Sequence, residues 1–182
     1  MKTLFTIILS LFIFTGCNNE TDKKENTTST SKIANKNKQD ITLVDINGKT
    51  IKVKKTDNGF IFDGYENKII LLNFFTTWCP PCKAEIPHLN NLQQKYKKEL
   101  SIISILLEEN KSNDEIIKFM NSFNIEFTIT NSPDNYKLAE AVGGVKSIPL
   151  ILIYDKKGDY FQHYIGAIPE EMIEADIKKV LK

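Results

Sequence analysis

The segment Thr77-Trp78-Cys79-Pro80-Pro81-Cys82-Lys83 places two cysteines three residues apart in a chain that holds only three. On a helix that spacing puts Cys82 one turn beyond Cys79, on the same face. The two sulfurs can then close an internal disulfide and reopen it. A cysteine attacks as its thiolate, and a helix N-terminus offers unpaired N–H groups and about half a positive charge, which lower a thiol pKa. Cys79 stands where such a helix would begin, so it is the expected exposed attacker of a client disulfide. Cys82, further inside and less exposed, would then attack Cys79 and release the reduced client. A purely structural disulfide is the plain alternative, but so small a loop restricts the unfolded chain little. A structural zinc site needs four ligands. Besides the pair, the chain offers only His88 and His163 and no second Cys-x-x-Cys.

Several elements must hold this pair in place. Ile69-Ile70-Leu71-Leu72-Asn73-Phe74-Phe75 runs straight into the cysteine segment. A continuous apolar run of this length suits a strand buried on both faces. Beyond the pair, Ile86, Leu89, Leu92 and Tyr96 recur at helical spacing. Pro80 and Pro81 suit a first helical turn, where the missing N–H groups are not needed. Pro87 lies inside this helix and predicts a kink. Residues 102–107 read as a second buried strand. Ser112-Asn113-Asp114-Glu115 resembles a capping box that opens a helix with Ile116, Phe119, Met120 and Phe123 on one face. Ile125, Phe127 and Ile129 alternate as a half-buried strand. A short helix over Tyr136 to Val142 is stopped by Gly143-Gly144. A strand over 150–154 turns through Asp155 to Gly158 into another over 160–165. Pro169 starts a last helix with Ile173, Ile177 and Val180 or Leu181 inward. Upstream, Ile41 and Leu43 alternate with Ile51 and Val53 around Asn47-Gly48, which predicts a hairpin with a two-residue turn. Asn58-Gly59 then leads into Phe60-Ile61-Phe62. Strands alternating with helices argue an α/β domain over residues 40–182.

The N-terminus has a different character. Met1-Lys2 precedes an almost unbroken apolar run from Leu4 to Phe14, followed by Thr15-Gly16-Cys17. A positive start, a short apolar run and small residues before a cut make a secretory signal over residues 1–16. A membrane-spanning helix needs roughly 20 apolar residues, and Asn18-Asn19-Glu20 arrives too early. Gly16-Cys17 resembles a bacterial lipobox, which implies that Cys17 becomes the lipidated N-terminus; Phe14 stands where Leu is usual. Residues 17–39 are polar and cannot bury enough surface to fold. They read as a disordered membrane tether spanning roughly 25 Å. Export places Cys79 and Cys82 in an oxidising compartment. The formal net charge of the whole chain is +1, which gives no electrostatic argument for nucleic acid.

The stretch from Phe74 through Thr76-Thr77-Trp78-Cys79-Pro80-Pro81-Cys82-Lys83-Ala84-Glu85-Ile86-Pro87 resembles the active-site segment of the TlpA/ResA/DsbE branch of the thioredoxin superfamily. The resemblance covers about residues 40–182. It implies a thioredoxin-like fold: a central mixed sheet flanked by helices, with an N-terminal β-hairpin and an inserted helix and strand at residues 112–130. It implies a membrane-tethered, extracytoplasmic protein-disulfide oxidoreductase that needs no cofactor. Ser147-Ile148-Pro149 is similar to the family's cis-proline loop, so Trp78, Ile148 and Pro149 are the implied substrate-binding residues. Gly166 matches a family glycine before the last helix. Glu85 matches the acidic residue with which ResA-like proteins tune their cysteines, and is the third implied catalytic residue; the plain alternative is a solvated helix position. Asn73 stands six residues before Cys79, where thioredoxin keeps a buried Asp, and Asn cannot act as a general base. Phe75 replaces the commoner Trp. The implied partners are disulfide-containing exported clients such as apocytochrome c, and a membrane electron donor of the DsbD or CcdA kind.

A strong oxidase needs an unusually stabilised thiolate, and Pro80-Pro81 brings neither charge nor N–H donors. The pair therefore reads as a reductant or mild exchanger. Three other readings compete. A thiol peroxidase would use Thr76, but that chemistry recruits an Arg, and all 24 basic residues here are Lys. A Sco-type copper chaperone would want Cys-x-x-x-Cys and a His, which only His163 could supply. An interaction module docking haem or apocytochrome would keep working without Cys82. The lipid and the redox chemistry are separable. Cys17→Ser is expected to release the protein from membranes while disulfide exchange by the purified domain is unchanged. Fractionation of the native host checks this, and a soluble, unlipidated wild type is the outcome that overturns it.

Overall fold

The cysteine segment sits at the open end of the central strand of a five-stranded sheet. In the computed structural model the described residues are 40–182, and they belong to one compact unit. The signal, Cys17 and the tether lie outside the described residues. The strands in chain order are β1 (Ile41–Val44), β2 (Thr50–Lys55), β3 (Phe60–Phe62), β4 (Ile69–Phe75), β5 (Leu100–Leu106), β6 (Thr128–Thr130), β7 (Leu150–Tyr154) and β8 (Tyr160–Ile165). The helices are α1 (Pro80–Lys95), α2 (Asn113–Phe123), α3 (Asp134–Ala141) and α4 (Glu170–Val180).

The main sheet has the order β6-β5-β4-β7-β8. β4, β5 and β6 run parallel, while β7 is antiparallel to β4 and β8 antiparallel to β7. This is the mixed sheet flanked by helices that the resemblance implies. β4 lies in the middle and all seven of its residues are buried, as its unbroken apolar run requires. Side chains alternate across it. Ile69, Leu71 and Phe75 face the layer that contains Leu89 and Leu92 of α1, Ile116 of α2, and Ile173 and Ile177 of α4. Ile70, Leu72 and Phe74 face the layer of β1–β3 and α3.

The N-terminal part holds more than a hairpin. β1, β2 and β3 form a three-stranded antiparallel sheet. The predicted two-residue turn is a five-residue loop instead, because Val44 pairs with Thr50. The Asp45 carboxylate organises it by accepting from the N–H groups of Asn47 and Lys49, both at 2.8 Å. Gly48 supplies the positive φ of 84° that the loop needs.

Other boundaries also moved. The strand predicted over Ile125–Ile129 pairs only over Thr128–Thr130, as a short edge beside β5. Ile125 and Phe127 are buried without joining the ladder, so their alternation reports packing rather than pairing. α3 begins two residues earlier than predicted, at Asp134, with the N–H of Asn135 bonded to the Ser132 carbonyl. α1 runs through Pro87 to Lys95. The capping box of α2 is complete in both directions between Ser112 and Glu115. Leu71→Ala, at the centre of β4 and fully buried, is expected to cost about 2–5 kcal/mol by leaving a cavity between β4 and α1. Urea denaturation of the oxidised protein measures this, and a loss under 1 kcal/mol would contradict the packing described.

Candidate functional site

β4 ends at Phe75, and the chain turns so that the Cys79 N–H meets the Thr76 carbonyl at 3.4 Å. Cys79 is the N-cap of α1, and Pro80 and Pro81 occupy the first two helical positions. Cys79 and Cys82 are joined as a disulfide with a Cα–Cα separation of 5.3 Å. The Cys82 N–H points at Cys79 Sγ, 3.3 Å away, while the Lys83 N–H goes to the Cys79 carbonyl at 3.1 Å. Two prolines have no N–H to give. Cys79 Sγ therefore faces one backbone donor from this first turn, not several.

The expected contrast in exposure is nearly absent. Cys79 is 3% and Cys82 2% exposed. The disulfide tucks both side chains under the helix start, so burial does not rank the two cysteines. What separates them is position: Cys79 caps the helix and Cys82 lies inside its first turn. The exposed group is Trp78, 66% accessible immediately before Cys79. A bare indole beside a reactive disulfide is a ready apolar contact for an incoming chain.

Ile148-Pro149 is a cis peptide bond, as the resemblance implies. The Pro149 carbonyl accepts the Gly166 N–H at 2.8 Å, tying the start of β7 to the end of β8. Gly166 has φ 82°, a conformation that L side chains rarely adopt.

Glu85 is not on a solvated face. It is 1% exposed, packed on the side of α1 that also carries Cys82 and Leu89. Cys82 and Glu85 are one turn apart and so are neighbours on that face. Burial pushes the Glu85 carboxyl up to about 7, against the opposing pull of a hydrogen bond from Ile168 N–H. That bond is 3.4 Å long, and the second carboxylate oxygen has no partner among the described residues. A buried group that titrates near neutrality can hold and return a proton. Asn73 is 3% exposed beneath α1 and donates to the Ser104 hydroxyl at 3.2 Å. Thr76 is buried, and its hydroxyl has no partner among the described residues.

The two histidines lie elsewhere. His88 Nδ1 is 3.4 Å from Glu170, and His163 Nδ1 is 2.6 Å from the Tyr160 hydroxyl on β8. No cluster of three or more His, Cys, Asp or Glu able to hold a metal occurs among the described residues. Sequence reasoning missed Glu108. Its carboxylate accepts the Thr77 N–H, just before Trp78. Glu108 lies beyond β5, 31 residues along the chain from Thr77, and no spacing rule links the two. The pairing of Phe75 with Leu106 across β4 and β5 brings them together.

Residues 67–160 match the family model described as thioredoxin-like. The chain is 29% identical over 138 residues to the thiol-disulfide oxidoreductase ResA of Bacillus thuringiensis, covering 76% of this chain and 73% of that protein. Its fold resembles that of a putative thiol:disulfide interchange protein DsbE from Chlorobium tepidum, with a TM-score of 0.64 and 23% identity over 80% of this chain and 95% of the other. It also resembles the exposed lipoprotein thioredoxin Etrx1 of Streptococcus pneumoniae, with a TM-score of 0.60 and 21% identity over 77% of this chain and 98% of the other.

The raised Glu85 carboxyl has a consequence for stability. Its proton is held to about pH 7 in the folded state, against an ordinary value of 4.5. Below the lower value both states are protonated and nothing is lost. Between the two the unfolded chain releases its proton first, so stability falls as pH rises. Above the upper value the full penalty stands, about 3 kcal/mol. Glu85→Gln is therefore expected to flatten this descent in the oxidised protein, and to be the more stable form at pH 8 but not at pH 5. Denaturant titrations at the two pH values check it. Parallel curves for wild type and variant would refute it.

Proposed function

Because the chain belongs to the thioredoxin-like family, as a thiol-disulfide oxidoreductase of the ResA kind, we propose that it works outside the cytoplasmic membrane as a reductant of exported proteins. The observation that carries the direction is the first turn of α1. A strong oxidant stabilises its reduced thiolate. Here two of the N–H groups that would do so are replaced by Pro80 and Pro81, and one donor, that of Cys82, faces Cys79 Sγ. Glu85, on the same face as Cys82, opposes a thiolate whenever it is ionised. Little favours the reduced thiolate, so the dithiol gives up its electrons readily.

The cycle uses the residues as follows. Cys79 thiolate attacks one sulfur of the client disulfide, and the other client sulfur leaves as a thiolate. Cys82, losing its proton to Glu85, attacks Cys79 Sγ; the mixed disulfide breaks and the Cys79–Cys82 bond forms. Two electrons pass to the client, which takes up protons as its thiolates become thiols. Trp78, Ile148 and Pro149 form the surface that receives the extended client chain. A membrane donor of the DsbD or CcdA kind returns two electrons to the pair. Lipid on Cys17 holds the domain near the membrane, a reading supported by the lipoprotein nature of the similar Streptococcus pneumoniae protein. The client class that fits the family resemblance is apocytochrome c, whose paired cysteines must be thiols before haem attachment.

Rapid acid quenching and alkylation of cells reports the state of the pair. A mostly reduced Cys79/Cys82 pair is expected. Cys82→Ser is expected to accumulate a mixed disulfide between Cys79 and its client, which a non-reducing gel separates and mass spectrometry identifies. A mostly oxidised pair in wild-type cells would overturn the reductive direction. A mixed disulfide formed instead by Cys82 in Cys79→Ser, at the same yield, would overturn the role assignment.

A further inference from the structure

The geometry points to Glu108 as a positioning residue that fixes the loop carrying Trp78 and Cys79, and so sets how well a client chain is received. The loop leaves the sheet at Phe75 and enters α1 at Pro80. On the helix side it is held by the Cys79 N-cap. On the strand side the buried Thr77 N–H has no ladder partner, because the pairing of β4 with β5 ends at Phe75 and Leu106. The Glu108 carboxylate takes that donor with Oε1. Without it, a buried N–H would be left unpaired, which is costly.

The carboxylate is itself held. The Glu108 side chain is 11% exposed, and Oε2 lies 3.5 Å from Lys111 Nζ. Lys111 is anchored through its backbone: its carbonyl accepts from Asn131 Nδ2 at 2.9 Å. Asn131 in turn donates its N–H to the Val44 carbonyl at 2.8 Å. Lys111 Nζ also lies 3.8 Å from Glu115, the N3 residue of the α2 capping box. The inserted helix and the N-terminal sheet are thus tied by short polar links to the backbone next to Trp78. A flexible loop would let the indole sample many poses, and ordering it would then be charged against client binding. The clamp prepays that cost. Glu108 touches no reacting atom, so its effect belongs in client affinity rather than in the chemical step.

Trp78 is the only tryptophan in the chain, so its fluorescence reports on this loop alone. The oxidised full-length protein without client is expected to show a clearly lower Trp78 anisotropy, with more efficient acrylamide quenching, in Glu108→Ala. Glu108→Gln keeps an oxygen that can accept the Thr77 N–H and is expected to restore most of the wild-type value. Lys111→Met leaves the Thr77 bond in place and should fall between. With a disulfide peptide as client, Glu108→Ala should raise KM about tenfold, the scale of one lost positioning contact, with kcat within about twofold. Where Glu108→Ala does not fold, Glu108→Asp, one methylene shorter, is read instead. Unchanged anisotropy in a folded Glu108→Ala, or Glu108→Gln as defective as Glu108→Ala, overturns the proposal. Loss of kcat with normal anisotropy also overturns it. The anisotropy arm needs no client, so it stands or falls apart from the reductive reading.

Discussion

The structure turns on one junction, where a fully buried strand passes into a helix whose N-cap is a cysteine. β4 is packed on both faces and hydrogen-bonded on both edges, so its end has little freedom. α1 lies across one face with Leu89 and Leu92 fully buried, so its start has little freedom either. The four residues between them must bridge two rigid elements. Cys79 is placed by the sheet and by the helix at once, and its sulfur meets the Cys82 N–H. The remaining layers hold β4 and α1 in register.

Around that junction the polar groups are few and each has a distinct environment. Pro80 and Pro81 thin out the donors that a helix N-terminus normally offers an anion. Glu85 sits in the apolar layer under α1 with one weak partner, so its charge is disfavoured until about neutral pH. Asn73, on β4 below, makes a neutral link to Ser104. A carboxylate on the helix face of Cys82 disfavours a neighbouring thiolate whenever it is ionised. The electrostatics of the site thus come from subtraction as much as addition: donors removed and one acid buried.

The loop on the other side of Cys79 is controlled from a distance. Glu108 reaches the Thr77 N–H from the end of β5, and Lys111 and Asn131 link it to α2 and β1. The helix and strand inserted between β5 and α3 are therefore more than decoration on the sheet. They buttress the one exposed tryptophan that flanks the reactive sulfur.

Much of this was legible in the chain itself. The apolar run of residues 69–75 suited a strand buried on both faces, because a strand covered on both sides hides successive side chains. The Cys-Pro-Pro-Cys spacing dictated an N-cap and a first turn, because proline is tolerated there and hardly anywhere else in a helix. Ser112 and Glu115 announced their capping box by local hydrogen-bond chemistry. These signals are short-range, and short-range geometry is written in neighbouring residues. Tertiary packing decided the rest. It buried Ile125 and Phe127 without pairing them and left only Ile129 of that alternation in the ladder, and it opened the Asn47-Gly48 turn around the Asp45 carboxylate. It buried Cys79 as deeply as Cys82, and took Glu85 out of water. Nothing in residues 76–78 names Glu108 as the acceptor of the Thr77 N–H. That contact exists because β4 and β5 run parallel in one register, and a register between distant segments is fixed by the fit of side chains across the whole sheet, not by either segment alone.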